Sequence, residues 1–262
     1  RLTSSNPNFQ NIPIRTEEGK EIRKAFKSQK VGWKIFSFDY SQIELRIMAH
    51  YSQDKGLIEA FQHNEDIHSK TASTIFEVPI KMITNEMRRT AKVVNFGIMY
   101  GAGSFRMSQE LGISIKEAKK IIDMYYNQFP GIKNYINLTL ETAREHHYVE
   151  TICGRKRPVW DINSDNAIRR KAAERMAINM PIQGSAAEMI KLAMIKIMNK
   201  LSEQGFESKL ILQIHDELIF EYPDHEEDNL SKMVIEKMEN AMELTVPIVV
   251  DYGNGESWYE AH

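Results

Sequence analysis

Residues 209–222 read Lys209-Leu210-Ile211-Leu212-Gln213-Ile214-His215-Asp216-Glu217-Leu218-Ile219-Phe220-Glu221-Tyr222. Two β-rich apolar runs, 209–214 and 218–222, flank His215-Asp216-Glu217, which is the pattern of a β-hairpin with an acid at its tip. A second run, Val31 to Asp39, carries Ile35, Phe36 and Phe38, is expected to be a buried strand, and also ends on an acid. If the two strands are neighbours, Asp39 and Asp216 lie at one sheet edge. From Ser41 the period changes, and Ile43, Leu45, Ile47, Met48 and Tyr51 suit a helix facing a core.

Outward from these strands the pattern is helical. Residues 1–20 are polar and loop-like, and Glu21 to Phe26 is expected to form a short strand or turn. Between 55 and 165, helices are expected from Thr84, an N-cap residue, to Tyr100, from Ser114 to Phe129 and from Ile132 to His146, with Gly101 and Pro130-Gly131 as stops. Gly154-Arg155-Lys156-Arg157-Pro158 reads as a basic turn. Helices over 166–179 and 184–203 flank Pro181, expected as a break or kink. A helix over 228–244 and a last strand over 248–252 follow. Strands, a helical block, a helix pair and further strands make an α+β protein with a helical insertion.

The chain has 262 residues, 42% of them hydrophobic and 27% charged, enough for a substantial core in one large or two small domains. Its net charge of −2 gives no overall basic character, so any contact with nucleic acid has to come from local patches. The single cysteine, Cys153, excludes an intrachain disulfide and fits a reducing compartment. No apolar run approaches the ~20 residues that span a bilayer. The opening Arg1-Leu2-Thr3-Ser4-Ser5-Asn6-Pro7-Asn8 reads as a loop entering in mid-fold, so a fragment of a longer protein is expected.

Taken singly, Asp39 is explained as a helix cap and Asp216 as a turn former. Together they can hold two Mg²⁺ about 3.5–4 Å apart, the arrangement that stabilises the attacking and leaving oxygens of an in-line phosphoryl transfer. Arg88, Lys92, Phe96 and Tyr100 recur at i, i+4, i+8 and i+12, one stripe of a helix over about 18 Å. The cations suit triphosphate oxygens and the rings suit a sugar and a base. Gly97 costs that helix about 1 kcal/mol relative to Ala, a hint of close approach or bending. Ser41-x-x-Glu44 reads as a capping box, the reading periodicity favours, although Glu44 can instead project into the site. The run His63 to His68 holds ligand types for zinc but no cysteine partners, and structural zinc is not expected.

With these segments in hand, the sequence resembles the family A DNA polymerases. Asp39 to Arg46 is similar to motif A, Arg88 to Gly101 to motif B (the O helix), and Gln213 to Leu218 to motif C. Further similar blocks are Arg1 to Pro13, Asp66-Ile67-His68 and Arg175 to Gly184, so the resemblance covers essentially the whole chain. It implies a right-hand palm at 1–60 and 166–262 with helical fingers at 61–165, and no thumb, so that primer–template would be held weakly. It implies that Asp39 and Asp216, with the Tyr40 carbonyl, bind two Mg²⁺, which Mn²⁺ can replace, and that Glu217 is an accessory acid. It places Arg88, Lys92, His68, Gln42, Phe96, Tyr100 and Glu44 around a dNTP, with Lys92 as proton donor to the leaving pyrophosphate. Glu44 becomes a steric gate against the ribose 2′-OH, overturning the cap. Arg1, Asn8, Gln10, Arg175, Asn179, Gln183 and His215 would contact primer–template DNA from the minor-groove side, where all correct pairs present nearly the same acceptors.

The activity implied is template-directed addition of dNTPs to a primer 3′-OH, in DNA replication and repair. The implied enzyme is a monomer with no membrane partner, cytoplasmic at the nucleoid in a bacterium, or organellar in a eukaryote. A single-subunit RNA polymerase and a non-catalytic nucleic-acid-binding module are the competing expectations.

Overall fold

The computed structural model describes residues 2–6, 8–12 and 17–261. In chain order the helices are α1 Glu17–Ile22, α2 Ile43–Ser52, α3 Lys55–Gln62, α4 Ile67–Phe76, α5 Asn85–Met99, α6 Ser104–Leu111, α7 Ile115–Gln128, α8 Pro130–His146, α9 Ala167–Gln204, α10 Glu227–Glu239 and α11 Trp258–Ala261. The strands are β1 Trp33–Tyr40, β2 Tyr148–Glu150, β3 Lys156–Pro158, β4 Lys209–Ile214, β5 Glu217–Pro223 and β6 Val250–Gly255. The protein is α+β, and the chain divides into two compact units. The first takes residues 1–43, 186–243 and 248–262, and the second takes 44–185 and 244–247.

The first unit is built on an antiparallel sheet in the order β4-β5-β1-β6. The central strand β1 is buried along most of its length, because side chains of both parities are apolar. Phe36, Phe38 and Tyr40 point to one face, where Phe36 stacks on Tyr222 (centroids 4.2 Å) and Phe38 on Tyr252 (5.8 Å). On the other face, Ile35, Ile214 and Ile219 pack with Trp258 and Ala261 of α11. Close approach of α11 to β6 requires glycine: a Cβ at Gly253 would lie 2.6 Å from the Ala261 carbonyl, and one at Gly255 2.4 Å from Glu260 Cβ.

In the second unit, Asp54 caps α3 by accepting from the Leu57 amide (3.0 Å) and takes the Gly131 amide of α8 at 2.7 Å. A Cβ at Gly131 would sit 2.8 Å from Asp54 Cα, so the junction needs glycine. Helix α5 starts at the expected Thr84 cap, whose hydroxyl accepts from the Met87 amide. It ends in a Schellman turn: Ala102 N–H reaches the Gly97 carbonyl (2.8 Å), Gly101 N–H reaches Ile98 (2.9 Å), and Gly101 takes φ +72°. The Ser114 cap of α7 is a full capping box with Glu117. No helix among the described residues is long and apolar enough to cross a membrane.

Five expectations are corrected. Residues 21–25 form the end of α1 and a 3-10 turn at Arg23–Ala25 rather than a strand, and the extended Phe26 that follows seats on Trp258 (5.4 Å), its carbonyl accepting the Trp258 amide. Pro181 does not separate two helices but lies inside the 38-residue α9. There Ala177, Ile178 and Ile182 are buried, so packing outweighs the missing amide. Only Gly154 and Arg155 of the basic turn lie in a loop, turning at Gly154 with φ +78°, and Lys156–Pro158 form strand β3 of a small β2–β3 hairpin. Helix α10 stops at Glu239, where Lys196 Nζ takes the Asn240 (2.7 Å) and Ala241 (3.2 Å) carbonyls. The last strand runs on to Gly255, because its glycines serve the α11 contact.

Candidate active site

The register of the central sheet decides the first half of the site. Asp39 pairs with Glu217 on one side and with Asp251 on the other, so three carboxylates share one rung. Ile214 pairs with Glu217, leaving His215-Asp216 as a two-residue loop in which His215 takes φ +55°. The Tyr40 N–H donates to the Asp216 carbonyl at 3.3 Å, which fixes the hairpin tip beside the end of β1. The expected acids Asp39 and Asp216 are thus brought together, both half-buried.

Their neighbours are firmly held. The Tyr40 ring is buried, its hydroxyl donates to the Met238 carbonyl (2.8 Å), and burial, reinforced by the Glu239 charge, pushes its pKa up. The buried Glu217 carboxylate accepts from Ser37 Oγ (2.6 Å) and Trp258 Nε1 (2.8 Å). The Arg23 guanidinium lies 4.0 Å over the same Trp258 ring; burial lowers its pKa and the Glu217 charge opposes that. Gln42 takes φ +52°, and its side-chain oxygen is buried without a hydrogen-bond partner.

The left-handed Gln42 also settles the capping question. A Ser41 cap would make Gln42 the first helical residue, which needs negative φ, whereas α2 begins at Ile43. Glu44 therefore is not the third residue of a Ser41-capped helix, and within the second unit its Oε2 accepts from the Tyr100 hydroxyl.

The second unit gathers the other predicted residues on α4 and α5. Arg88 grips Asp66 with two nitrogens, Nε to Oδ2 at 2.5 Å and Nη2 to Oδ1 at 3.3 Å. Asp66 also caps α4 through the His68 amide and accepts from Ser69 Oγ (2.6 Å). Burial pushes the Asp66 carboxyl up, but the Arg88 and Ser69 hydrogen bonds, the Arg88 charge and the His68 amide outweigh it and hold it below the usual carboxylate range. Lys92 is exposed one turn further along α5. The rings of His68, Phe96 and Tyr100 form a row, with centroids 5.8 and 6.0 Å apart. The second unit thus joins a cation pair, an aromatic row and a carboxylate. Gly97 reflects close approach: a Cβ there would lie 2.7 Å from the Met107 methyl of α6.

A model of DNA polymerase family A matches residues 1–260. The chain belongs to that family. It is 51% identical over 261 residues to DNA polymerase I of Bacillus subtilis (strain 168), covering 100% of this chain and 30% of the relative. It is 48% identical to the thermostable DNA polymerase I of Thermus thermophilus, covering 100% of this chain and 31% of that protein. Among solved structures, the POL domain of Pol1 from M. smegmatis, in complex with DNA primer-template and dNTP, superposes with a TM-score of 0.96 at 46% identity over 100% of this chain and 46% of that one. The chain spans under a third of the length of these curated relatives.

The remaining residues expected from the family A resemblance have these places. Arg175, Asn179 and Gln183 form an i, i+4, i+8 stripe on α9, with the Asn179 carbonyl oxygen buried and without a hydrogen-bond partner. Gln10 Nε2 donates to the Gln213 backbone carbonyl (3.1 Å) and side chain (3.3 Å). Asn8 caps the 3-10 turn Phe9–Asn11. His215 is exposed at the hairpin tip, and Arg1 lies outside the described residues. Sequence reasoning missed Asp251, because only the strand register shows that it faces Asp39. It also missed Asn95 and Thr71, buried polar residues joined to His68.

Proposed function

We propose that the chain is the nucleotide-incorporating region of a DNA-directed DNA polymerase, which joins the α-phosphate of a dNTP to a primer 3′-OH and releases pyrophosphate. The observation that carries this reading is the junction of Asp216 with the end of β1 beside Asp39. The names of the relatives and the nucleotide and DNA in the M. smegmatis complex support the choice of substrate. In this reading residues 1–60 and 166–262 are the palm, residues 61–165 the fingers, and the site of action the bacterial cytoplasm.

The donor set fits Mg²⁺, a hard cation that takes carboxylate and carbonyl oxygens. Like charges facing each other across strands are destabilising, and the Glu217–Asp39–Asp251 rung has that character, which a divalent cation offsets. Asp39, Asp216 and the Tyr40 carbonyl would hold the ions. Two bound Mg²⁺, or Mn²⁺ in their place, would supply an activated 3′-oxygen and charge stabilisation at the leaving pyrophosphate. The Tyr40 hydroxyl anchor and the Glu217 clamp keep these backbone positions fixed.

Arg88 and Lys92 bind the triphosphate. Arg88 exchanges the Asp66 carboxylate for phosphate, a bidentate acceptor of the same geometry, and Lys92 donates a proton to pyrophosphate. Phe96 and Tyr100 shape the sugar and template-base pocket, and Gln42 is a further dNTP-binding residue. Glu44, held by Tyr100, meets a ribose 2′-OH. Arg1, Asn8, Gln10, Arg175, Asn179, Gln183 and His215 track the primer–template.

Primer extension at saturating primer–template tests the reading. Wild type extends the primer only with a divalent cation and the templated dNTP, and Asp216→Ala abolishes extension with the urea midpoint unchanged. Retained extension by Asp216→Ala removes that residue from the metal site, and the reading with it.

A further inference from the structure

His68 is almost fully buried, and a short polar chain runs from it into the second unit. Asn95 Nδ2 lies 2.9 Å from His68 Nδ1, and Thr71 Oγ1 donates to Asn95 Oδ1 at 3.0 Å. Asn95 and Thr71 are fully buried. A buried amide at that position of α5 needs its hydrogen-bonding groups satisfied, whereas an apolar side chain would fill the space without that demand. The amide stands with its nitrogen toward His68 and its oxygen toward Thr71. An amide nitrogen only donates, so Nδ1 accepts and the ring hydrogen sits on Nε2. Thr71, one turn along α4 from His68, pairs with the amide oxygen at the far end of this chain.

We propose that Asn95 is a positioning residue: anchored by Thr71, it holds His68 as the Nε2–H tautomer, so that His68 meets a nucleotide phosphate as a directional donor while Arg88 and Lys92 supply the charge. The nucleotide half of this proposal rests on the function proposed above. The electrostatics agree with the geometry. Burial pulls the ring down; Asp66, at the head of its own helix, raises it; Arg88 and Lys92 from α5 lower it, and the ring ends at about 4. Helix α7 also packs on α4, but brings Lys120 to Glu77, beyond the far end of α4. His68 is therefore neutral at physiological pH, and a neutral imidazole donates through whichever nitrogen the other's partner leaves protonated.

The test is nitrogen NMR of the whole chain with ¹⁵N-labelled histidine, the His68 signals being assigned by their loss in His68→Gln. Wild type should show a protonated Nε2 and an acceptor-type Nδ1 across the neutral range. Asn95→Asp replaces the donor by an acceptor and should move the proton to Nδ1 and raise the titration midpoint. Thr71→Val, of equal volume, should release the amide and give mixed tautomers, while Thr71→Ser keeps the wild-type pattern. In parallel, Mg²⁺-dependent dNTP affinity should fall about tenfold in Thr71→Val and stay within about twofold in Thr71→Ser. A protonated Nδ1 in wild type, or a single Nε2–H tautomer in Thr71→Val, overturns the positioning role, even if Asn95→Asp does not fold. Mixed tautomers with unchanged affinity overturn the phosphate contact. The expected tautomers in a wild type that binds no dNTP leave the positioning supported and overturn the nucleotide reading.

Discussion

Replacing Glu217 tests whether the carboxylate beside Asp216 is part of the scaffold. Its Oε1 accepts from Ser37 Oγ at 2.6 Å and from Trp258 Nε1 at 2.8 Å, and the residue is buried beside the buried Arg23. Hydrogen bonds to a charged group contribute about 1.5–3 kcal/mol each, and removing one partner of a buried charge cluster costs about 3–5 kcal/mol. Glu217→Ala leaves two donors and the Arg23 cation uncompensated, so it should destabilise the first unit by about 3–5 kcal/mol. Glu217→Gln keeps an acceptor and loses only the charge; since charge-assisted bonds are about twice as strong as neutral ones, its cost should be about half. Urea titration followed by tryptophan emission reads this directly. Trp33 and Trp258 belong to the first unit, and Trp160 is already 78% exposed and changes little on unfolding. An Ala variant within about 1 kcal/mol of wild type, or Gln and Ala of equal cost, would refute the clamp. The buried carboxylate would then be satisfied by other means.

Three further outcomes follow from the structure. Glu226 accepts from the Glu207 amide and from the Ser208 amide and hydroxyl; burial raises its pKa, but these bonds and His225 hold it below the ordinary 4.5. A depressed folded value gives stability that is present above the unfolded pKa and is lost as pH falls through the folded one. The urea midpoint should therefore drop on acidification below 4.5, and less steeply in Glu226→Gln; parallel profiles would remove Glu226 as the source. Glu44→Ala should raise ribonucleotide incorporation relative to deoxyribonucleotide, measured in competition, whereas an unchanged ratio would count against Glu44 as the gate. Phe96→Tyr should ease acceptance of dideoxynucleotides by placing a hydroxyl where the substrate lacks its 3′-OH; unchanged discrimination in chain-termination assays counts against Phe96 at the sugar.

The strands, the hairpin and the long helices could be read from sequence because their signals are local. β-rich apolar runs mark β4 and β5, the Thr84 and Ser114 caps mark α5 and α7, and Gly101 ends α5. What local pattern misjudged was decided by distant contacts. The turn before Phe26 is fixed by its seat on Trp258, Pro181 is carried through α9 by its buried neighbours, and Gly253 and Gly255 extend β6 under α11. The site divides in the same way. Spacing alone shows the Arg88–Tyr100 stripe, and the motif resemblance names Asp39 and Asp216. The Ser41–Glu44 spacing mimics a capping box, and only the positive φ of Gln42 excludes it. Asp251, Asn95 and Thr71 have ordinary residue types at unremarkable spacings, and only strand register and helix packing bring them to Asp39 and His68.

The order of the central sheet has a consequence for synthesis. Strand β1 lies between β5 and β6, and Ser37 reaches its partner Glu217 across 180 residues of sequence. At about 5–20 residues per second, a ribosome needs about 9–36 s to deliver that partner. Throughout that interval Ile35, Phe36 and Phe38 lack both neighbouring strands, while residues 44–185 of the second unit are being made. The nascent chain thus presents an apolar strand with two open edges until residues 217–255 have been made, which makes β1 a segment where chaperone capture during translation matters.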